Sequence, residues 1–197
     1  MWESGHLLQS GKYQILRRIG GGGYGITYLA EDVELKRQVV IKAPNYTYRA
    51  AQDYEKFVQR FKREGQALSK IKHPNVVQVI ELDTKSEMPY LVMAYVEGET
   101  LSQCIQKQGR LPEAEAVQVF RKLGSVLQEL HQRQVIHCDL HPGNVILQPD
   151  GEPVLIDFGS AKFLQPSTYT VTTTVNESFT PYEQSLSNTK SNKESYR

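Results

Sequence analysis

The chain has 197 residues, of which 39% are apolar and 23% charged, and this is enough material to bury a core in one large domain or two small lobes. Lys and Arg number 23 against 22 Asp and Glu, a formal net charge of +1. With that balance and no charge run, nothing at the bulk level argues for nucleic acid or an anionic membrane as a partner.

Taken in chain order, the residues predict strands first. Tyr13 to Ile19 alternates weakly and runs into four glycines, Gly20 to Gly23, followed by Tyr24 and Gly25. Ile26 to Ala30 reads as the returning strand of a hairpin, and Gln38 to Lys42 as the next. A helix is expected from Tyr48 to Ile71, with Phe57, Phe61, Glu64, Leu68 and Ile71 spaced by three and four. His73-Pro74-Asn75 stops it. Val76 to Leu82 and Tyr90 to Tyr95 give two further strands. Thr100 caps a short helix, Leu101 to Gln108, which Gly109 ends. Pro112 opens a longer one, Glu113 to Arg133, whose apolar stripe reads Val117, Phe120, Leu123, Leu127 and Leu130. Three short apolar pieces follow: Val135-Ile136, Val145 to Leu147, and Val154 to Ile156. From Gln165 to Asn192 the composition turns to Ser, Thr, Asn and Gln, which predicts a loop or a partly disordered tail. The expected class is α+β, in two lobes with a cleft between.

Five features carry chemistry. Gly20 to Gly25 fits G-x-G-x-x-G, but a strand follows it rather than a helix, and no Gly-Lys-Ser/Thr is present. Glycines between strands let backbone N–H groups approach phosphates closely; on its own, the loop reads equally well as a flexible hairpin tip. Lys42 ends an apolar strand and suits pairing with α- and β-phosphates, although strand-end lysines commonly just reach to water. Glu64, on the following helix, can hold Lys42 as an ion pair or be a solvated helix-face charge. Asp139, followed five residues later by Asn144, suits an acid that orients an attacking hydroxyl and an amide oxygen that binds Mg²⁺. Asp157, in Asp157-Phe158-Gly159, is a second hard-oxygen ligand. Each is weak singly; their order and spacing decide the matter.

With those residues in place, the chain resembles the serine/threonine protein kinases of eukaryotic type, and among them the bacterial branch. Gly20 to Asp32, His73 to Val77, and Leu91 to Leu101 are similar to that branch. The resemblance implies a two-lobed kinase fold: an N-terminal antiparallel sheet plus one helix, then an incomplete, mainly helical C-lobe. It implies an extension at 1–12 and a kinase domain at 13–197, split into an N-lobe (13–93), a hinge (94–98) and a C-lobe (99–197). It implies ATP and Mg²⁺ as cofactors and a protein substrate with Ser/Thr hydroxyls. Nucleotide contacts are implied at Ile19, Gly20, Gly21, Gly22, Gly23, Tyr24, Gly25, Thr27, Val40, Lys42, Met93 (the gatekeeper), Tyr95, Val96 and Ile146. The hinge, Ala94 to Val96, would hydrogen-bond adenine. Catalytic roles fall to Asp139, Lys42, Glu64 and His141, and metal binding to Asn144 and Asp157. Leu68, His137 and Phe158 would stack as the spine of the active state.

The chain departs from that pattern at several points. Cys138 stands where the family's His-Arg-Asp motif has Arg, which removes the partner of a phosphorylated activation loop and predicts weak activation through Thr170, Thr172, Thr173 or Thr174. Its thiol reads either as an inert filler or as a reactive group beside Asp139. His141 replaces a lysine that contacts the γ-phosphate, so charge stabilisation is expected to suffer. Asp139 to Asn144 is also similar to the loop of aminoglycoside and choline phosphotransferases. Val40 and Thr27 replace Ala and Val around the adenine, and Pro181-Tyr182-Glu183 replaces Ala-Pro-Glu. The family continues past Gln184 with further helices. Their absence predicts a truncated lobe in which Phe120, Leu123 and Leu127 face water, open to a partner or a missing segment. Glu183 would then lack its Arg partner.

Three functions stay open at this point: a serine/threonine protein kinase, a non-catalytic nucleotide- or partner-binding remnant, and a small-molecule phosphotransferase. The two cysteines, Cys104 and Cys138, fit no metal or disulfide spacing and suit a reducing cytoplasm. No signal peptide is evident, and no apolar run reaches the roughly 18 residues of a membrane span.

Overall fold

Alternation of β-branched and aromatic residues with turn residues gives the first half of the chain its sheet. The computed structural model describes residues 1–22, 25–45, 54–86 and 88–163. They form two units, Met1–Glu97 and Gly98–Arg197.

In the first unit, β1 (Leu7–Leu8), β2 (Tyr13–Gly22), β3 (Gly25–Asp32), β4 (Arg37–Ala43), β5 (Val79–Asp83) and β6 (Tyr90–Ala94) make one antiparallel sheet in the order β1-β2-β3-β4-β6-β5. β2 is bulged twice, between Ile15 and Arg17 and between Arg18 and Gly20, which adds twist just before the glycines. Asp32, buried at the β3–β4 turn, accepts from Leu35 N at 3.2 Å and pairs with Arg37.

Because strand side chains alternate, the sheet sorts its residues by face. Tyr13, Ile15, Ile26, Tyr28, Ala30, Val39, Ile41, Ala43, Tyr90 and Val92 share one buried cluster with Leu8. Thr27, Leu29, Val40, Lys42, Leu91 and Met93 alternate with them and take the other face.

The sheet is curled so far that its edges meet. Lys12 and Tyr13, at the β2 edge, reach Glu81 on β5: Lys12 Nζ donates at 2.7 Å, Tyr13 Oη at 3.0 Å, and Gln9 Nε2 donates to the other carboxylate oxygen. Trp2 packs on Tyr28 and Tyr90, at ring separations of 5.3 and 5.8 Å. The first twelve residues are thus built into this unit, by a clasp that local patterning does not signal.

The helix α1 (Tyr54–Leu68) buries Phe61, Glu64 and Leu68 from the expected stripe, and Ile71 just beyond it. Residues 48–53, the expected start of this helix, lie outside the described residues. The strand expected from Val76 begins at Val79.

In the second unit, Thr100 caps α2 (Leu101–Gln108) with a full capping box: its Oγ1 accepts from Gln103 N, and Gln103 Oε1 accepts from Thr100 N. The helix α3 is Glu113–Gln132. Its buried stripe is Val119, Leu123, Val126 and Leu130, which corrects the expected one. Both sets are spaced by three and four, so the period alone does not choose between them; Phe120 is 75% exposed, as expected, and Val117 45%, whereas Leu123 is buried rather than facing water and Leu127 is half-buried. Three short strands, β7 (Glu99–Thr100), β9 (Val145–Leu147) and β10 (Pro153–Leu155), form one sheet. β8 (Val135–Ile136) pairs with β11 (Lys162–Phe163). Among the described residues, no helix is long and apolar enough to cross a membrane.

The Glu81 clasp yields a pH prediction. Partial burial raises the carboxyl's pKa, but the hydrogen bonds from Lys12, Gln9 and Tyr13 together outweigh it, leaving Glu81 below its ordinary value of 4.5. A depressed carboxylate pKa stabilises the fold above the unfolded value and ceases to do so as pH falls through the folded one. Glu81→Gln should therefore lower stability by about 1 kcal/mol at pH 7, discounted for exposure. The difference from wild type should shrink below pH 4.5, as read from urea melts at pH 7 and pH 3.5.

Candidate active site

The site residues fall into one set in each unit. In the first unit, the β2–β3 turn carries the glycines. A Cβ on Gly25 would lie 2.7 Å from the carbonyl oxygen of Ala43, so only glycine fits this close approach of β3 to β4. Gly20 pairs with Thr27, Thr27 with Lys42, and Lys42 with Leu91, a single row across four strands. Gly21 and Gly22 complete β2, while Gly23 and Tyr24 lie outside the described residues. Val40 pairs with Met93 one step along the same face. Of the implied nucleotide contacts, the sheet brings Thr27, Val40, Lys42 and Met93 onto one face. Ile19 and Tyr95 are exposed, and Val96 is half-buried in the segment after β6.

Lys42 and Glu64 meet as an ion pair at 3.8 Å, with both side chains only 9% exposed. Burial of this degree separates the pair from surface ion pairs, which water screens. Leu68 is buried in the same unit.

In the second unit, the loop from β8 to β9 carries Asp139, His141 and Asn144, while Ile146 lies on β9 and Asp157 follows β10. His137 Nδ1 accepts from the backbone N–H of Asp139 at 3.3 Å, and its ring packs edge-on against Phe158 at 4.9 Å. Between them, Cys138 takes φ +62°, a left-handed conformation that costs a non-glycine residue on the order of 1–2 kcal/mol. The loop closes through Asn144, whose Nδ2 donates to the carbonyl oxygen of Asp139 at 2.9 Å. The Asn144 carbonyl in turn accepts from Ile156 N at 2.9 Å, the residue before Asp157. These two bonds bring Asp139, Asn144 and Asp157 into one cluster. Asp157 Oδ1 accepts from Gly159 N at 2.8 Å.

His141 opens the short 3₁₀ turn Pro142–Asn144, its Nδ1 accepting from Gly143 N at 3.1 Å. The proton of a neutral ring therefore sits on Nε2, 3.9 Å from Asp139 Oδ2. A Cβ on Gly143 would lie 2.8 Å from the ring, so this glycine admits the imidazole. Ile146 is half-buried on β9, beside Thr100 of β7. Cys104 is buried, Cys138 half-buried, and neither is in a disulfide. Thr170 to Thr174 and Pro181 to Glu183 lie outside the described residues.

The chain matches the protein kinase domain family model over residues 13–194. The chain belongs to the protein kinase domain family. Within this family it is similar to serine/threonine-protein kinase PrkC of Bacillus subtilis, at 42% identity over 166 residues, covering 84% of this chain and 25% of that protein. It is 36% identical over 163 residues to serine/threonine-protein kinase pkn2 of Myxococcus xanthus, covering 81% and 19%. It is 33% identical over 163 residues to serine/threonine-protein kinase PknA of a Nostoc species, covering 79% and 28%. The chain spans about a quarter of the length of the curated relatives it matches.

Membership accounts for the order of the motifs; the backbone tie between Asn144 and Ile156 continues the β9–β10 pairing, in which Val145 faces Leu155. Reading side-chain chemistry alone passes over that bond; the short apolar piece before Asp157 is its sequence signal.

His137 gives this site a measurable pH response. Burial holds its imidazole below the ordinary value of about 6.5, against the opposing pull of the Asp157 carbonyl and the charges of Asp157 and Asp139. The ring is thus neutral in the folded state. Its contribution to stability is present above 6.5 and is lost as pH falls through the folded value. A ¹⁵N imidazole NMR titration should place its midpoint below 6.5, and a midpoint above 6.5 would refute the assignment.

Proposed function

We propose that this domain transfers the γ-phosphoryl group of ATP to serine or threonine hydroxyls of proteins. The observation that carries the reading is the cluster tied together by Asn144, which donates to Asp139 through its side chain and accepts from Ile156 through its carbonyl. The relatives named above are serine/threonine-protein kinases by name, and this supports the same acceptor class here. ATP as phosphoryl donor suits work in the cytoplasm.

The donor set fits a Mg²⁺ ion. With Nδ2 of Asn144 bonded to Asp139, Oδ1 is the amide's acceptor, and Asp157 adds a carboxylate; one or two such oxygens plus substrate phosphates is how Mg²⁺ is usually held. When bound, the ion neutralises charge that develops on the phosphates. Lys42 binds the α- and β-phosphates, and Glu64 fixes the direction of its ammonium group. Asp139 orients the attacking hydroxyl and accepts its proton. The Nε2–H of His141 donates to a γ-phosphate oxygen, where the family has a lysine. In the first unit, Thr27, Val40 and Met93 offer one face of the sheet to the base, and the glycines before β3 admit the phosphates.

A second reading is favoured by Cys138 and His141, which remove two positive charges from the loop: the domain binds nucleotide and does not transfer. Asp139→Asn separates the two. Active wild type should lose at least about 100-fold in radiolabel transfer to protein in this variant while keeping its thermal shift with ATP and Mg²⁺. A shift without transfer in the wild type would establish the second reading. Transfer to amine or hydroxyl metabolites but not to proteins would establish small-molecule phosphotransfer instead.

A further inference from the structure

Helix α1 carries a glycine, Gly65, next to Glu64 and well inside its fifteen residues. Glycine disfavours a helix interior, so its place there calls for a packing reason. The reason is close contact with the sheet. A Cβ at position 65 would lie 2.8 Å from Leu82 Cδ1, 3.2 Å from Leu82 Cδ2 and 3.3 Å from Leu91 Cδ1. The first distance is below ordinary carbon contact and falls on the end of the half-buried Leu82 side chain; Leu91, at 3.3 Å, is only 2% exposed and has little room to yield.

The strand register gives this contact its meaning. Lys42 on β4 pairs with Leu91 on β6, and Leu91 pairs with Leu82 on β5. The three side chains form one row on one face of the sheet. Glu64 meets the Lys42 end of that row, and Gly65 lies against the Leu91 and Leu82 end. The height of α1 above Leu82 and Leu91 therefore sets the reach of Glu64 to Lys42.

We infer that Gly65 is a positioning residue: its missing side chain seats α1 close enough on the sheet for Glu64 to pair with Lys42. The catalytic consequence rests on the proposed phosphate-binding role of Lys42, whereas the pairing itself does not. Gly65→Ala lifts the helix unless Leu82 retreats, and Leu82→Val removes the atom that a new Cβ would strike.

The test uses Gly65→Ala, Leu82→Val, the double variant and Glu64→Gln. Lys42 is labelled with limiting acetic anhydride in the absence of nucleotide and measured by peptide mass spectrometry, with exposed Lys36 and Lys70 as controls. Only a neutral amine acylates, so an ammonium held by a carboxylate labels slowly. Gly65→Ala should raise Lys42 labelling several-fold toward the Glu64→Gln level. Its Tm should fall only modestly, because the helix propensity gained by alanine offsets part of the packing that is lost. Leu82→Val alone should label like wild type, and the double variant should return to within about twofold of it. In a chain that transfers phosphate, Gly65→Ala should also raise KM for ATP or lower kcat on the order of tenfold, with the same rescue.

Wild-type labelling of Gly65→Ala would overturn the inference, since Leu82 would then yield instead of the helix. So would a double variant that labels like Gly65→Ala. If Gly65→Ala lowers Tm and raises labelling at every lysine, the double variant decides: recovery at Lys42 supports the inference and its absence overturns it. A wild type that neither binds nor hydrolyses ATP would count against the proposed function and leave the labelling series to judge Gly65.

Discussion

A buried ion pair is an expensive thing to build, and Lys42–Glu64 constrains the first unit for that reason. Each ion loses several kcal/mol of hydration on burial, which mutual attraction repays only in good geometry. Such a pair adds little net stability, yet removing one partner costs about 3–5 kcal/mol, because the other is left uncompensated. The sheet must present Lys42 on the face that α1 covers, and α1 must come close enough for Glu64 to reach it. The alternation of β4 meets the first demand: Val39, Ile41 and Ala43 go to the buried cluster, while Val40 and Lys42 go to the other face. The register Lys42–Leu91–Leu82 meets the second by laying a row of side chains on which the helix rests. The clasp on Glu81 holds the curl of the same sheet from its edges.

The second unit solves a different problem, the convergence of polar groups on a loop without a helix or long strand to hold them. It uses backbone hydrogen bonds. Asn144 spends its side-chain donor on the Asp139 carbonyl and its own carbonyl on Ile156, so one residue fixes the spacing of two acids. His137 holds the Asp139 N–H from the other side. Its ring is kept neutral by burial, against the pull of the Asp157 carbonyl, and is held in place by packing on Phe158.

Much of this was legible in the residues because it is local. The capping box at Thr100, the glycine stop at Gly109 and the strand that ends in Lys42 each follow from a few neighbouring side chains. The acids Asp139 and Asp157 were legible through their spacing. What was not legible depends on distant partners. Glu81 looks like any strand-edge charge until the sheet curls and brings Lys12 and Tyr13 to it. The stripe on α3 was misread because two sets of apolar residues satisfy the same helical period, and only packing chooses Val119 and Val126 over Val117 and Phe120. Gly65 is invisible as a requirement until Leu82 is set against it.

The departures at Cys138 and His141 act on charge more than on shape. Cys138 sits at φ +62°, and the bonds on either side of it, from Asp139 N to His137 Nδ1 and from Asn144 Nδ2 to the Asp139 carbonyl, do not involve its side chain. An arginine or a cysteine can occupy that backbone equally well; only the guanidinium charge is lost. His141 keeps a place beside Asp139 by accepting from Gly143 N, and Gly143 leaves room for its ring. A lysine there would offer a full charge on a flexible stem, whereas the imidazole offers a fixed Nε2–H. The loop therefore retains the spacing of its acids while losing positive potential around them. Under the proposed reaction, transfer of a phosphoryl group that needs charge neutralisation would be the first step to register that loss, and nucleotide binding by the first unit the last.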